Sequence, residues 1–208
     1  PVPGAPRRPN AAAAEVHLTL GEAVRTHSFW VLAVGLAAGS FCLNGLPASI
    51  IPIYTDRGFS RETAAWAFTL YGSMSTAARF FWGYLINRFH IRWVLYAVAV
   101  EGVLSTPLFL VLDGPASLVC AALVGLGIGG QIGFAQMVWP VYFGRTHLGS
   151  ITGLTRPATS LIMGTGSGMM AFSADSTGSY ALGLWAITAS WFLAAIGMLL
   201  CKPLKKKP

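Results

Sequence analysis

The sequence contains few charged residues for its length. Of its 208 residues, 14 are Lys or Arg and 7 are Asp or Glu, which together make 10%. A soluble domain carries about a quarter of its residues as charged side chains, so this chain has too few to cover a globular surface. We therefore predict that lipid surrounds most of it. The formal net charge of +7 lies in tails and loops beside apolar segments, which indicates a lipid bilayer as partner and no nucleic acid.

Cysteine is also scarce. Cys42, Cys120 and Cys201 all lie inside apolar segments and show no CxxC spacing, and the four histidines lie in loops or near segment ends. This pattern favours neither a disulfide framework nor a metal site, and it is typical of small buried side chains. We expect no metal and no cofactor.

The start of the chain lacks a Met and lacks the basic segment and short apolar core of a signal peptide. We therefore interpret the chain as a fragment of a longer protein. Residues 1–14 are rich in Pro, Ala and Gly, and we expect residues 1–18 to form a flexible linker. Thr19 and Glu22 have the spacing of a capping box, which predicts a juxtamembrane helix over residues 19–28.

Long apolar runs are abundant. A hydrocarbon core of about 30 Å needs about 20 helical residues, and six runs meet this length. The predicted spans are residues 29–53, 63–85, 93–112, 117–143, 152–172 and 180–201. We therefore predict an all-α membrane protein with six transmembrane helices over residues 29–201.

Basic residues are unevenly distributed between the two ends of these spans. Arg57 and Arg61 lie on one side, and ten basic residues lie on the other. The ten are Arg7, Arg8, Arg25, Arg88, Arg92, Arg145, Lys202, Lys205, Lys206 and Lys207. Short cytoplasmic loops carry an excess of Lys and Arg. Both ends of this segment, including the basic tail at residues 202–208, are therefore expected in the cytoplasm, with the protein in the cell membrane.

The loop after the second span contains Gly83, Asn87, Arg88 and Arg92 in the run GYLINRFHIR. This run resembles the cytoplasmic loop signature of the major facilitator superfamily, in which a glycine precedes Asp-Arg and further basic residues. Asn87 stands where that family usually has aspartate, and Ile91 where it often has a basic residue. The run YFGRTHLGSITGL at residues 142–154 resembles the loop between the fourth and fifth helices of the second half of these transporters.

The resemblance implies that the chain is the C-terminal six-helix half-bundle of such a transporter. Residues 1–18 would then belong to the central cytoplasmic linker, and an N-terminal six-helix half of the same protein would be the partner. The substrate site in this fold lies between the two halves.

Three ionisable residues lie within the predicted spans, namely Arg79, Glu101 and Arg156. At a rise of 1.5 Å per residue from the nearest loop, they lie about 12, about 13.5 and about 10.5 Å inside the membrane. Charges at such a depth usually face a cavity or one another. Two cations and one anion leave a positive surplus, which an anionic substrate would balance, and the arginine fork suits a carboxylate.

Other interpretations of these residues remain open. Arg79 could be the structural partner of Glu101 on the next helix, and Arg156 could extend towards water near the interface. Glu101 could serve in transport or proton coupling, or form an ion pair.

Uncharged polar residues within the spans are further candidates. Asn44 and Gln131 could bind substrate, and so could Gln136, but each could also form an interhelical hydrogen bond, an interpretation that we favour for Gln136. Gly35 and Gly39 are four residues apart, as are Gly164 and Gly168, and this spacing allows close helix packing.

Arg79 also resembles the cavity arginine of the oxalate/formate antiporter and monocarboxylate porter branches, which stands four residues before the glycine that is Gly83 here. The aspartate that some monocarboxylate porters place four residues earlier is Ser75. The resemblance implies secondary active transport of a small organic anion, by symport or antiport. The alternatives are a carrier of this fold for a neutral or cationic molecule, or a non-transporting sensor or assembly protein. We expect no enzyme activity, because the spans lack the Gly-x-Ser motif and deep histidine of a rhomboid-type protease.

Overall fold

The protein is described here by a computed structural model that covers residues 18–111 and 114–201. Every regular element in these ranges is helical. Six long helices and one short one follow in the order α1 (Leu20–Val24), α2 (His27–Asp56), α3 (Arg61–Arg88), α4 (Ile91–Val111), α5 (Ser117–Phe143), α6 (Leu148–Thr177) and α7 (Ala181–Leu200). A single 3-10 turn, Gly114–Ala116, precedes α5.

The capping box at the start of α1 is confirmed. Glu22 N–H donates to Thr19 Oγ1, and Thr19 N–H donates to Glu22 Oε2 at 2.8 Å. The Thr19 N–H and the Thr19 hydroxyl both donate to Glu22 Oε2, and these two hydrogen bonds hold the pKa of the Glu22 carboxyl below its usual value. The predicted extent of this helix, residues 19–28, was wrong, because α1 ends at Val24 and Thr26 already caps the start of α2. The linker before Leu18 and the tail from residue 202 lie outside the described residues.

The long helices extend beyond the predicted spans at most ends, so the connections are shorter than expected. Only Phe89 and His90 separate α3 from α4, where the sequence predicted a loop over residues 86–92. Likewise α6 begins at Leu148 and ends at Thr177, whereas its apolar run covers residues 152–172. Backbone hydrogen bonds continue through polar residues at helix ends, so the apolar run marks only the part of a helix that lies in lipid.

Four of the six long helices among the described residues are both long and apolar enough to cross a membrane, namely α2, α4, α5 and α7. The other two, α3 and α6, have 28 and 30 residues and exceed the length required, but they carry more polar residues. They also bury few side chains within the bundle. We conclude that α3 and α6 differ in kind from the other four helices.

The six long helices form two triplets, α2–α4 and α5–α7, with matching contacts. Helix α2 packs mainly against α6 and α7, while α5 packs mainly against α3 and α4, and α4 contacts α7. Exchanging α2 with α5, α3 with α6 and α4 with α7 reproduces the same pattern. Because each triplet has an odd number of helices, the second runs in the opposite direction, so the bundle is an inverted repeat.

Glycines in α5 allow its two neighbours to approach closely. A Cβ at Gly125 or Gly129 would collide with backbone carbonyl oxygens of α3, and one at Gly127 or Gly130 would collide with side chains of α4 or α3. These glycines therefore allow tight packing of α5 against α3 and α4.

The corresponding contact between α2 and α6 uses different glycines from those expected. A Cβ at Gly45 would lie 2.8 Å from the Gly166 carbonyl oxygen. At Gly164 and Gly168, which the spacing singled out, an added Cβ would have no neighbour within 4 Å, so these two glycines face away from α2. The sequence pattern correctly indicated small residues on α6, but the glycine of α6 that contacts α2 is Gly166.

Candidate functional site

A polar cavity of about 530 Å³ lies between α2, α5 and α6. Its lining combines hydroxyl, amide, indole and guanidinium groups with a few apolar side chains. The residues that line it are Leu36, Ser40, Leu43, Ile132, Ala135, Gln136, Trp139, Leu148, Gly149, Thr152, Thr155, Arg156, Thr159 and Ser160. Arg156 is the one charged side chain among them, so the cavity has a positive character.

Most hydroxyl groups of this lining donate to their own helix. Ser40 Oγ donates to the Leu36 carbonyl at 2.7 Å, and Thr155 Oγ1 donates to the Ile151 carbonyl at 3.1 Å. Thr152 and Thr159 donate to carbonyls of α6 in the same way. Among the described residues, no protein group accepts a hydrogen bond from the side chain of Arg156 or Gln136. The guanidinium and amide of these two side chains are therefore available to donate to a ligand.

Arg79 does not line this cavity. It is an exposed residue of α3 and lies on a stripe of small and polar residues, spaced three or four apart, which share one helix face. The stripe consists of Ala65, Thr69, Gly72, Thr76, Arg79, Gly83 and Asn87. It separates the face of α3 that packs on α5 from a face of exposed aromatic side chains that includes Trp66, Phe81 and Tyr84. Arg79 therefore faces outward from the bundle along a polar strip.

The two arginines lie at similar distances from one end of the bundle. Arg79 lies nine residues before the end of α3 at Arg88, and Arg156 lies eight residues after the start of α6 at Leu148. These helix termini are at the same end of the bundle. At 1.5 Å per residue the two positions are about 13.5 and about 12 Å along their helices from that end.

The ion pair between Arg79 and Glu101, one of the interpretations that the sequence left open, is not formed. Both carboxylate oxygens of Glu101 are buried and have no hydrogen-bond partner among the described residues. The carboxylate instead packs against Gly127 of α5. Equal depth did not bring the two charges together, because Glu101 lies on the side of α4 that meets α5.

The uncharged polar candidates separate into two groups. Gln131 is buried, and its Nε2 donates to the Leu36 carbonyl at 3.3 Å across the α2–α5 contact. Gln136 lines the cavity, so the interhelical hydrogen bond expected of Gln136 is formed by Gln131. Asn44 is exposed on α2, one turn beyond the cavity residue Ser40 and on the same helix face.

The residues of the loop signature make local contacts. Asn87 Nδ2 donates to the Gly83 carbonyl at 3.0 Å, and the Arg88 guanidinium lies 5.4 Å from the centre of the Tyr84 ring. Arg92 reaches further, because its Nε donates to the Met198 carbonyl at 3.1 Å and its Nη2 donates to the Leu199 carbonyl. Arg92 thus neutralises the exposed carbonyls at the end of α7 and ties α4 to α7.

Metal ligands are not grouped in the part of the chain that the structure describes. No three His, Cys, Asp or Glu side chains lie together there. Cys42, Cys120 and Cys201 are free thiols buried in the bundle.

Comparison with known protein families matches residues 1–167 to the Major Facilitator Superfamily. The chain belongs to this family. Its members are secondary transporters and not enzymes, so the chain belongs to a family of multi-pass membrane transporters for small molecules. The inverted triplets agree with the 3+3 repeats of a major facilitator half. No curated protein matches the chain.

The cavity itself was missed by the sequence reasoning, which named Arg156 but not its neighbours. Ser40, Thr152, Thr155, Thr159 and Ser160 gave no separate signal, because Ser and Thr are common in tightly packed membrane helices. The α6 segment is more polar than the α4 and α7 segments, and this difference in the sequence could have indicated that α6 lines a cavity.

Proposed function

We propose that the protein carries a small organic anion, most specifically a carboxylate, by alternating access. The chain acts as the C-terminal half of a longer transporter, and both of its ends face the cytoplasm of a cell membrane. The observation that carries the proposal is the cavity between α2, α5 and α6, whose one charged lining residue is Arg156.

The electrostatics of this cavity favour an anion. A guanidinium near the middle of a membrane is unfavourable unless a counter-charge or water accompanies it. No carboxylate is among the described residues that line the cavity, and Glu101 packs elsewhere. A carboxylate ligand would supply the missing negative charge and accept two parallel hydrogen bonds from the guanidinium fork.

Arg79 supplies a second positive charge at the same depth on α3. In a major facilitator transporter the substrate site lies between the two halves. Arg79 lies on a polar strip of α3, and Asn44 is exposed on α2. Both observations support a role for Arg79 in lining the substrate site between the two halves. We infer that Arg79 and Arg156 hold the anion from two sides once the N-terminal half covers this face.

The branch of the family is a further proposal. The spacing of Arg79 and Gly83 favours the oxalate/formate antiporter and monocarboxylate porter branches. Ser75, which stands where some monocarboxylate porters have aspartate, is 5% exposed at the contact of α3 with α5. An acidic side chain at this position would lie inside the helix contact, so Ser75 favours a mechanism without a carboxyl at that site.

The orientation can be tested with single cysteines in the full-length protein. The three native cysteines are buried, so they provide a low background. Glu62 and His90 are both exposed and lie at opposite ends of the bundle. A membrane-impermeant maleimide on intact cells should label Glu62→Cys and spare His90→Cys. The reverse labelling would contradict the proposed orientation.

The substrate class can be tested by counterflow in liposomes that contain the full-length transporter. Radiolabelled oxalate and lactate serve as anionic probes, and choline serves as the cationic control. We expect saturable counterflow of at least one carboxylate and none of choline. Replacement of Arg156 by Lys should raise the half-saturation concentration at least about tenfold, because lysine cannot form the bidentate contact.

The matched control is Arg145→Lys, since Arg145 is exposed in the connection before α6 and does not line the cavity. It should leave counterflow unchanged. Saturable choline counterflow, or equal effects of the two substitutions, would contradict the proposal.

A further inference from the structure

Glu101 lies in a groove that the proposed anion site does not use. The groove has a volume of about 560 Å³ and lies along α4 and α5. Apart from Glu101, Ser105 and Tyr96 its lining is aliphatic, with Ala97, Val100, Leu104, Leu108 and Leu123. Nothing in the substrate cavity lines this groove, so Glu101 needs an explanation of its own.

The carboxyl of Glu101 is placed where an ionised form is strongly disfavoured. Both of its oxygens are inaccessible to solvent and have no hydrogen-bond partner among the described residues, and neither has the nearby Ser105 hydroxyl. Glu101 also lies ten residues into α4, about 15 Å from the start of that helix. A buried carboxylate without partners takes up a proton instead of remaining charged.

The surrounding helices offer little compensation. Helix α7 has no titratable side chain from Ala181 to Leu200, and Cys42 of α2 is within electrostatic range of Glu101. The other titratable or charged groups on the helices that pack against α4, and on α4 itself, are Arg61, Glu62, Tyr71, Arg79, Tyr84, Arg88, Arg92, Tyr96, Cys120 and Tyr142. None of these forms an ion pair or hydrogen bond with the Glu101 carboxylate.

Gly127 determines the place of this carboxyl. A Cβ at Gly127 would collide with Glu101 Oε2, so glycine leaves the space that the carboxyl fills. The carboxyl therefore lies within the contact between α4 and α5, and separation of these helices would admit water to it.

We propose that Glu101 is a proton-binding site outside the substrate cavity, with its proton held while α4 and α5 are packed together at Gly127. Proton binding favours the packed arrangement, and hydration of the carboxyl on separation of the helices releases the proton. The ligand of this site is thus a proton, and the inference does not depend on the substrate that the transporter carries.

Infrared difference spectroscopy of the purified full-length protein in lipid at pH 7 tests this inference without any substrate. An ordinary glutamate with a pKa of about 4.3 is ionised at this pH. The spectrum of wild type minus Glu101→Gln should show the carbonyl band of a protonated carboxylic acid, which shifts in D₂O. The spectrum of wild type minus Glu62→Gln, a matched change at an exposed position of α3, should show ionised carboxylate bands. Carboxylate bands in both difference spectra would overturn the proposal.

A second pair of variants keeps Glu101 and so remains informative if Glu101→Gln fails to fold. Gly127→Ala should shift or remove the protonated carboxyl band, because the methyl group displaces the carboxyl from the helix contact. Gly133→Ala, on the same helix with nothing within 4 Å of the added Cβ, should retain it. The same spectrum from both variants would contradict the assignment of the site to the α4–α5 contact.

Discussion

The cavity at Arg156 and the groove at Glu101 have similar volumes, about 530 and about 560 Å³, but opposite chemistry. The first is polar and holds a cation, and the second is largely aliphatic and holds a carboxyl group. Both lie against α5, on different sides of that helix. The sign and the surroundings of the charge therefore distinguish the two sites more clearly than their size.

The comparison shows how one membrane helix can serve two purposes. On one side of α5, Gln136 and the residues beside it leave space and a free hydrogen-bond donor. On the other side, Gly127 allows α4 to approach so closely that water is excluded from Glu101. Charge can remain ionised where polar groups and water accompany it, whereas in the dry contact it is neutralised by a proton.

The largest effect on stability is expected from separating α2 and α6, two of the helices that line the cavity. Gly166→Leu should destabilise the protein by about 3 kcal/mol or more, because its side chain would separate α2 from α6 at a contact between backbones. Gly168→Leu on the same helix has open space and should change stability by less than about 0.5 kcal/mol. Thermal unfolding in detergent, followed by size-exclusion chromatography, measures both. Equal stability of the two variants would show that the packing of α2 against α6 does not depend on close backbone contact.

A smaller effect on stability is expected from Arg92, at the start of α4. Arg92→Met keeps much of the side-chain length but removes the hydrogen bonds to the Met198 and Leu199 carbonyls. Hydrogen bonds to charged groups contribute about 1.5–3 kcal/mol, so the thermal midpoint should fall measurably. Arg88→Met removes a contact with the Tyr84 ring and serves as the matched control. A larger loss for Arg88→Met would contradict the assigned contacts.

The two glutamines of α5 provide the finest test of the comparison. Gln131→Leu removes the hydrogen bond between α5 and α2 and should destabilise the bundle by about 1 kcal/mol. Gln136→Leu should leave stability nearly unchanged and weaken binding of the transported carboxylate by a few-fold, since it removes a free donor from the cavity. Unfolding and counterflow measurements on both variants test these assignments. A loss of stability in Gln136→Leu together with weaker substrate binding alone in Gln131→Leu would contradict them.

The sequence predicted the helical class, the number of long helices and the capping box at Thr19, because these depend on local spacing and on apolar length. It did not predict the rotation of each helix about its axis. Gln131 and Gln136 are five residues apart, which turns them by about 140° around α5. Which of them faces a neighbour depends on the positions of α2 and α6, which the sequence pattern alone does not determine.

The same limit explains the missing ion pair. Arg79 and Glu101 lie on consecutive helices at similar depth, so their pairing was a reasonable interpretation. Helix α3 packs mainly on α5 and has few contacts with α4, which places the two charges on separate faces. The position of a residue along its helix can be counted from the sequence. The direction in which its side chain points depends on how all the helices pack together.

The central claim is that Arg79 and Glu101 serve separate sites, one for the anion and one for a proton. Carboxylate counterflow by the full-length transporter carrying Arg79→Ala, Glu101→Gln or both tests it most directly, with insertion verified by size-exclusion chromatography. We expect that Arg79→Ala abolishes counterflow and that the double variant remains inactive, because neutralising Glu101 does not replace the guanidinium that binds the anion. Restored counterflow in the double variant would show that Arg79 serves only to neutralise Glu101, and would contradict the account.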